Sequence, residues 1–523
     1  MKKAVIWFVA VVLIASLALA GCTPQTEETD TPPVAEEKVL IVRATSDPTT
    51  FQPDVAGNDA AYGIAQNVFN RLVKLDADIQ VIPDLARSWS SSEDGLSITF
   101  NLVQNAKWHD GEPVTSKDVK YTFDYIKDHP ECFAHNYFKN VESISAPDDY
   151  TVVFHMSRPD SAVLGYLAWY ATFIMPEHVY NNGQPWEENP ANQAPIGSGP
   201  FKFEKHNPGV NVVLVKNSEY WEAEPKLDKL IYQIIPDDAT AVQALLNGEV
   251  DYMTLPATEV ESFKSNPDFT LVPYSLPSPL YMVFNFDEGK DVPFAVRKAI
   301  AMCINRDEIS TKVFAGIQPP EYNFYPSVMG WSSNSDAPAP SFDIEGAKAV
   351  LEAAGYTKDA EGYYVRGLVV DCFSQSYIDA VKLISAACKD AGIELIINAL
   401  EGQAWSTKVS TNQDFVIATL GGFQGPDVSA LAGRISTEGA MNHGDYSNAR
   451  IDELFELGLV STDPAVRKPY YHEIQKIMSE ELPTIPIVGY QAYTCQASYV
   501  KDSPYECAGR AGWSEYLYTD IVK

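Results

Sequence analysis

Residues 367–399 most restrict what this chain can become. Residues 367–373 form a short run rich in Leu and Val, 379–391 carry helical periodicity, and 393–399 are a second apolar run. A strand, helix and strand joined this tightly make a βαβ unit, whose second strand returns parallel to its first. Parallel strands need helices over their faces, so an α/β domain is expected.

Other segments fit that class. Strands are expected at 38–43, 96–102, 150–155, 210–215, 229–235, 281–286 and 415–418, and helices over 60–75, 118–126 and 239–246. Thr115, with Asp118 three residues on, has the form of a capping box. Gly248 follows the third helix as a C-terminal stop. Pro293 opens another helix that turns Val296, Ala299, Ile300 and Cys303 inward, because proline suits a first helical turn.

At 523 residues the chain exceeds one ordinary core, so two or more are expected. Asp and Glu number 70 against 38 Lys and Arg, a net charge of −32. Binding phosphate backbones needs clustered Lys and Arg, so nucleic acid is excluded as a partner. The acidity reads as solubility outside the cell. The eight His are scattered, with no His-x-x-His or Cys/His cluster, so no metal site and no cofactor are expected. Gly-x-Ser-x-Gly, His-Glu-x-x-His and P-loop patterns are missing, which argues against an enzyme. His109 reads as a turn or surface histidine.

The N-terminus has a positive start at Lys2 and Lys3, an uncharged stretch over 4–20, and then Leu19-Ala20-Gly21-Cys22. That is the pattern of a secretory signal. The last four residues resemble the lipobox of bacterial lipoproteins, in which the Cys is acylated. Cys22 is therefore the expected lipidation site, holding the protein to the outer face of a membrane. Residues 23–37 are acidic and contain Pro, and they read as a flexible tether. Of the six other cysteines, Cys495 and Cys507 form the best disulfide candidate, while Cys303 and Cys388 read as buried thiols.

Several stretches, in order, resemble one family. They are Pro83-Asp84-Leu85-Ala86-Arg87-Ser88-Trp89, Trp108-His109-Asp110-Gly111-Glu112-Pro113-Val114-Thr115, Gly197-Ser198-Gly199-Pro200-Phe201, Asn217-Ser218-Glu219-Tyr220-Trp221, Val296-Arg297-Lys298-Ala299-Ile300 and Tyr446-Ser447-Asn448. Together they are similar to the large peptide/nickel-type solute-binding proteins of ABC transporters. The resemblance implies an α/β, two-lobed periplasmic-binding-protein-like fold of the class II, cluster C type, with an extra subdomain in the first lobe. It divides the chain into a signal peptide at 1–21, the acylated Cys and tether at 22–37, a first lobe at 38–275 with its subdomain near 76–194, a second lobe at 276–488, and a return to the first lobe at 489–523. The implied partners are a peptide or other small solute, ABC permease subunits, and the membrane through the lipid anchor. The protein is expected to act as a monomer. An oligosaccharide or a metal chelate is the alternative solute, and ligand sensing without import is the alternative role.

In peptide-binding members, an Asp in a second-lobe loop takes the ligand's terminal ammonium. The matching stretch here, Thr419 to Asp427, is shorter and ends Gly-Pro-Asp. Asp427 is the candidate anchor, with a turn or cap carboxylate as the alternative. Arg434 is a candidate to meet a ligand carboxylate, with a salt bridge to a neighbouring acid as the alternative. Trp405 and Phe423 are candidates to line the pocket or to pack the core. Gly422, Tyr281, Asn285 and Thr50 complete the candidate set.

Overall fold

The computed structural model describes residues 37–54, 59–169, 172–507, 510, 512 and 514–523. The chain divides after Glu37 into two units, and everything below concerns the second, Lys38–Lys523. Cys22, the signal segment and the tether lie outside the described residues, apart from Glu37.

Ten strands make the main sheet: β1 (Val39–Ala44), β2 (Phe201–Asn207), β3 (Asn211–Lys216), β4 (Lys229–Ile234), β5 (Tyr252–Thr254), β6 (Phe269–Phe284), β7 (Val365–Cys372), β8 (Ile393–Ala399), β9 (Ile417–Leu420) and β10 (Thr484–Ala497). Their order across the sheet is β8-β7-β9-β6-β10-β5-β1-β4-β3-β2. The βαβ unit is present as expected: β7 and β8 are parallel, joined through the helix Gln375–Asp390. That helix buries Ala380, Val381, Ile384 and Cys388, a 3- and 4-residue spacing that presents one apolar face to the sheet.

The two largest apolar cores among the described residues share this sheet. The first gathers Leu40, Val68, Phe69, Phe100, Phe123, Phe154, Trp186 and Leu230. It extends over a second, four-stranded sheet made by residues 86–91, 97–102, 151–156 and 141–148, in that spatial order. The helix Ser116–Asp128 packs on it and begins with the expected capping box: Thr115 N donates to Asp118 Oδ2 at 2.8 Å. The second core gathers Met282, Phe284, Ile300, Leu351, Val370, Ile384, Leu454 and Ile487. Val296, Ala299, Ile300 and Cys303 are buried there, on the helix that follows Pro293.

The long strands β6 and β10 pair from Phe269↔Ala497 to Val283↔Thr484, and so pass from the first core to the second. Their register breaks between Leu276 and Leu280. Pro277 and Pro279 lie in that gap. Proline has no N–H to give a neighbouring strand, so the ladder is interrupted there.

Some expectations need correction. The helix expected over 60–75 ends at Val68, and Val73–Leu75 is a strand paired with Val81–Pro83. The Val68 carbonyl accepts from Gly199 N at 2.8 Å, which takes the acceptor that another helical turn would have used. That close approach needs glycine: a Cβ on Gly197 would lie 1.8 Å from Val68 O. His109 stands in a turn, as expected, and is half-buried there. Its Nδ1 accepts from Gly197 N at 3.2 Å and its Nε2 lies 3.0 Å from Gly199 O. Burial lowers its pKa to about 4, so the imidazole is neutral and donates through Nε2. Cys495 and Cys507 are free buried thiols, not a disulfide. Cys495 packs among Ala241, Leu245 and Phe263, and Cys507 donates to Asp502 O. Cys303 and Cys388 are free and buried as well.

Candidate functional site

The segment after β9 brings the two cores together. Gly421 passes so close to Tyr377 that a Cβ would fall 1.9 Å from its Oη. Gly422 and Gly425 have φ of +96° and +105°, which L side chains rarely adopt. The backbone therefore turns sharply, and Gln424 N donates to Pro277 O at 2.8 Å, within the break in β6. This places the Phe423 ring flat on Trp169, with centroids 4.0 Å apart and planes at 16°. Phe423 thereby packs against the first core, although its chain neighbours belong to the second. More contacts follow along residues 158–169: Ser161 N donates to Leu459 O at 3.0 Å, and Arg158 pairs with Glu456. The two halves touch along this line.

Asp427 is already engaged. Arg467 grips it with both guanidinium arms, Nη1 to Oδ2 at 2.8 Å and Nη2 to Oδ1 at 2.6 Å. Oδ1 also accepts from Ser429 N and Oγ, so Asp427 caps the short helix Val428–Leu431. Burial pushes its carboxyl pKa up. The Arg467 fork and the Ser429 bonds outweigh that and hold it below the ordinary carboxylate value.

Three other sequence candidates meet in one place. Arg434 Nη1 donates to Tyr281 Oη at 3.1 Å, and Nη2 donates to the Phe423 carbonyl at 3.2 Å. No acid pairs with Arg434 among the described residues. Gly422 is exposed in the same loop. Of the remaining candidates, Trp405 joins Tyr281 and Leu420 in one apolar cluster, while Asn285 and Thr50 have other partners. Trp405 packs on Phe373, with ring centroids 4.6 Å apart, and donates its indole N–H to Asp371 O. Asn285 is buried and braces a turn by donating to Gln413 O and accepting from Asp287 N. Thr50 Oγ1 accepts from Gln52 N in the first half and lines neither cavity described below.

A cavity of about 240 Å³ lies at the first-half face, where β1, β5 and β10 end. Thr45, Gly63, Thr254, Tyr505, Ser514 and Tyr516 are among its walls. Tyr274, on β6 near the break, stacks on Tyr505 at 4.3 Å and lies 6.2 Å from Tyr490. Backbone edges, hydroxyls and tyrosine faces make a surface for polar chains and planar groups. A smaller cavity lies within the second half, against Tyr281, Leu420 and Arg434.

Trp169, Arg467, Tyr274 and Tyr505 escaped the sequence reading. None carries a local motif, and each is defined by a partner far along the chain.

The model of the bacterial extracellular solute-binding proteins, family 5 Middle, matches residues 80–442. Over 507 residues the chain is 25% identical to the oligopeptide-binding protein AppA of Bacillus subtilis, covering 92% of each. It is 24% identical over 478 residues to the dipeptide-binding protein of Escherichia coli, covering 86% of this chain and 89% of that one. The crystal structure of the ABC transporter substrate-binding protein CtaP of Listeria monocytogenes matches with a TM-score of 0.84 at 24% identity, covering 93% of this chain and 100% of that one. The α/β periplasmic-binding-protein fold expected from the sequence is thus the fold observed. With more than half its length matched to the family's model, the chain belongs to the bacterial extracellular solute-binding proteins of family 5, and it is a binding protein, not an enzyme.

Proposed function

We propose that this protein captures a peptide between two closing lobes and delivers it to the permease of an ABC importer. The observation that carries the reading is the Phe423–Trp169 stack, which draws a second-lobe loop onto the first lobe. Closure of this kind buries a ligand and marks the loaded form for a transporter. The peptide assignment draws support from the AppA and dipeptide-binding relatives and from a cavity wall of strand ends and hydroxyls, which suits main-chain pairing. Asp427 does not anchor the peptide ammonium in this reading. An incoming amine would have to displace Arg467 from both carboxylate oxygens.

In this reading the chain is exported, acylated at Cys22 and held at the outer face of the cell membrane as a tethered monomer. Labelling cells with a fatty-acid analogue tests the anchor: Cys22→Ala should lose the label, and retention would refute it. Calorimetric titration of ligand-free protein with defined tri- and pentapeptides tests the solute. Saturable peptide binding is expected. Binding of an oligosaccharide or a nickel–histidine chelate, with none of peptides, would overturn the assignment.

A further inference from the structure

The smaller cavity is chemically unlike its surroundings. It holds about 30 Å³, room for two or three water-sized groups. Most of its wall is apolar, including Pro279, Val283, Phe324, Leu420, Leu431 and Met478. Three of its lining residues each carry a buried polar atom with no hydrogen-bond partner: Arg434 Nε, Gln424 Oε1 and Tyr325 Oη. Leaving even one such atom unsatisfied is costly, and these three residues line one small space.

The chain has 70 acidic residues against 38 basic ones, yet no carboxylate among the described residues pairs with Arg434. His443, also in the wall, is kept from charging by burial and then by Arg434 itself. Nearby Asp427 is committed to Arg467. The protein therefore supplies a cation, a hydroxyl from Tyr281 and a hydroxyl from Tyr325, with no anion of its own. A guanidinium in an apolar wall calls for a planar anion, and a carboxylate group of three heavy atoms matches both the charge and the space.

We infer that this cavity is a subsite for the carboxylate end of the captured solute, held by Arg434 with Tyr281 and Tyr325 beside it. The inference rests on the receptor reading above. It makes the solute's anionic end, not its ammonium, the group read by the second lobe. Arg434 binds the solute while its Nη2 bond to the Phe423 carbonyl holds the closing loop. Filling the subsite thus stiffens the loop that stacks on Trp169.

The test uses two probes on full-length, ligand-stripped protein. The first is a random tripeptide library offered as free acids and as C-terminal amides, with retained species counted by mass spectrometry. Free acids should be retained at least tenfold over amides, and Arg434→Met should remove the preference. Tyr281→Phe, which deletes one hydroxyl and keeps the ring, should weaken it. Equal retention of acids and amides, or a preference unchanged in Arg434→Met, would overturn the subsite. The second probe is sodium acetate against sodium chloride at equal ionic strength, read by melting temperature. Acetate should stabilise wild type more than chloride does, and this excess should vanish in Arg434→Met. Equal effects of the two salts would also overturn the subsite. If no peptide is retained while the acetate response holds, the peptide reading fails and the carboxylate subsite stands.

Discussion

Arg467 and Asp427 form a bidentate pair, at 2.8 and 2.6 Å, under the loop that reaches across to Trp169. Arg467 also donates to Tyr471 Oη and the Gly458 carbonyl, so it ties the long helix Pro464–Glu481 to the start of Val428–Leu431. Removing the acid would leave a largely buried guanidinium without its counter-ion. Asp427→Ala is expected to destabilise the protein by about 3 kcal/mol, the order found when one partner of a buried pair is deleted. Chemical denaturation measures this. A variant of unchanged stability that loses peptide binding would restore Asp427 as a ligand group.

The same pair sets an acid limit. Because Asp427 is held below its ordinary value, its contribution is full above the unfolded pKa near 4 and is lost as pH falls through the folded one. The expected result is a loss of stability below about pH 4 that is smaller in Asp427→Asn. Equal acid sensitivity in both proteins would exclude the pair as the cause.

Two buried acids act in the opposite direction. Burial pushes Asp54 up to about 8, against the pull of its bond from Phe173 N and of Arg71. Burial also raises Asp84 to about 7, opposed by Lys74 and assisted by Glu515. Both hold a proton more tightly folded than unfolded. Their stabilisation is full below about pH 4 and is lost as pH rises through the folded values. The melting temperature should fall between pH 5 and 8.5, and Asp54→Asn should flatten that slope. A slope that Asp54→Asn leaves unchanged would remove Asp54 as its source.

Phe423→Ala tests the closing contact. A stacked aromatic pair contributes about 0.5–1.5 kcal/mol beyond burial, so peptide affinity should drop roughly 2- to 12-fold, with little change in melting temperature. Calorimetry and melting curves on the same sample separate the two effects. A large loss of stability with unaltered affinity would make the stack a folding contact only.

Gly197→Ala should destabilise by about 3 kcal/mol or more, because the new methyl meets the backbone oxygen of Val68 and no flexible side chain can yield. Native-like stability of that variant would show that the first helix can move away from residues 197–199.

Local chemistry was legible in the sequence, and distant pairing was not. The Thr115–Asp118 box, the inward face after Pro293 and the β7–β8 crossover each depend on residues a few positions apart. The end of the first helix depends on Gly199, over a hundred residues away, so periodicity alone carried the helix too far. The candidate site divides the same way. Arg434, Phe423 and Tyr281 were picked out by residue type, but the bond between Arg434 and Tyr281 spans 153 residues. Whether Asp427 faced a ligand or Arg467, 40 residues on, depended on packing that no motif encodes.

The most direct test of ligand capture is native mass spectrometry of the protein purified without denaturation, followed by fragmentation of whatever is released. The expected result is a released mass that fragments as a peptide ending in a free carboxylate, bound one per chain, with less retained by Phe423→Ala. Release of a sugar, a metal chelate or a C-terminally blocked peptide as the main species would contradict it.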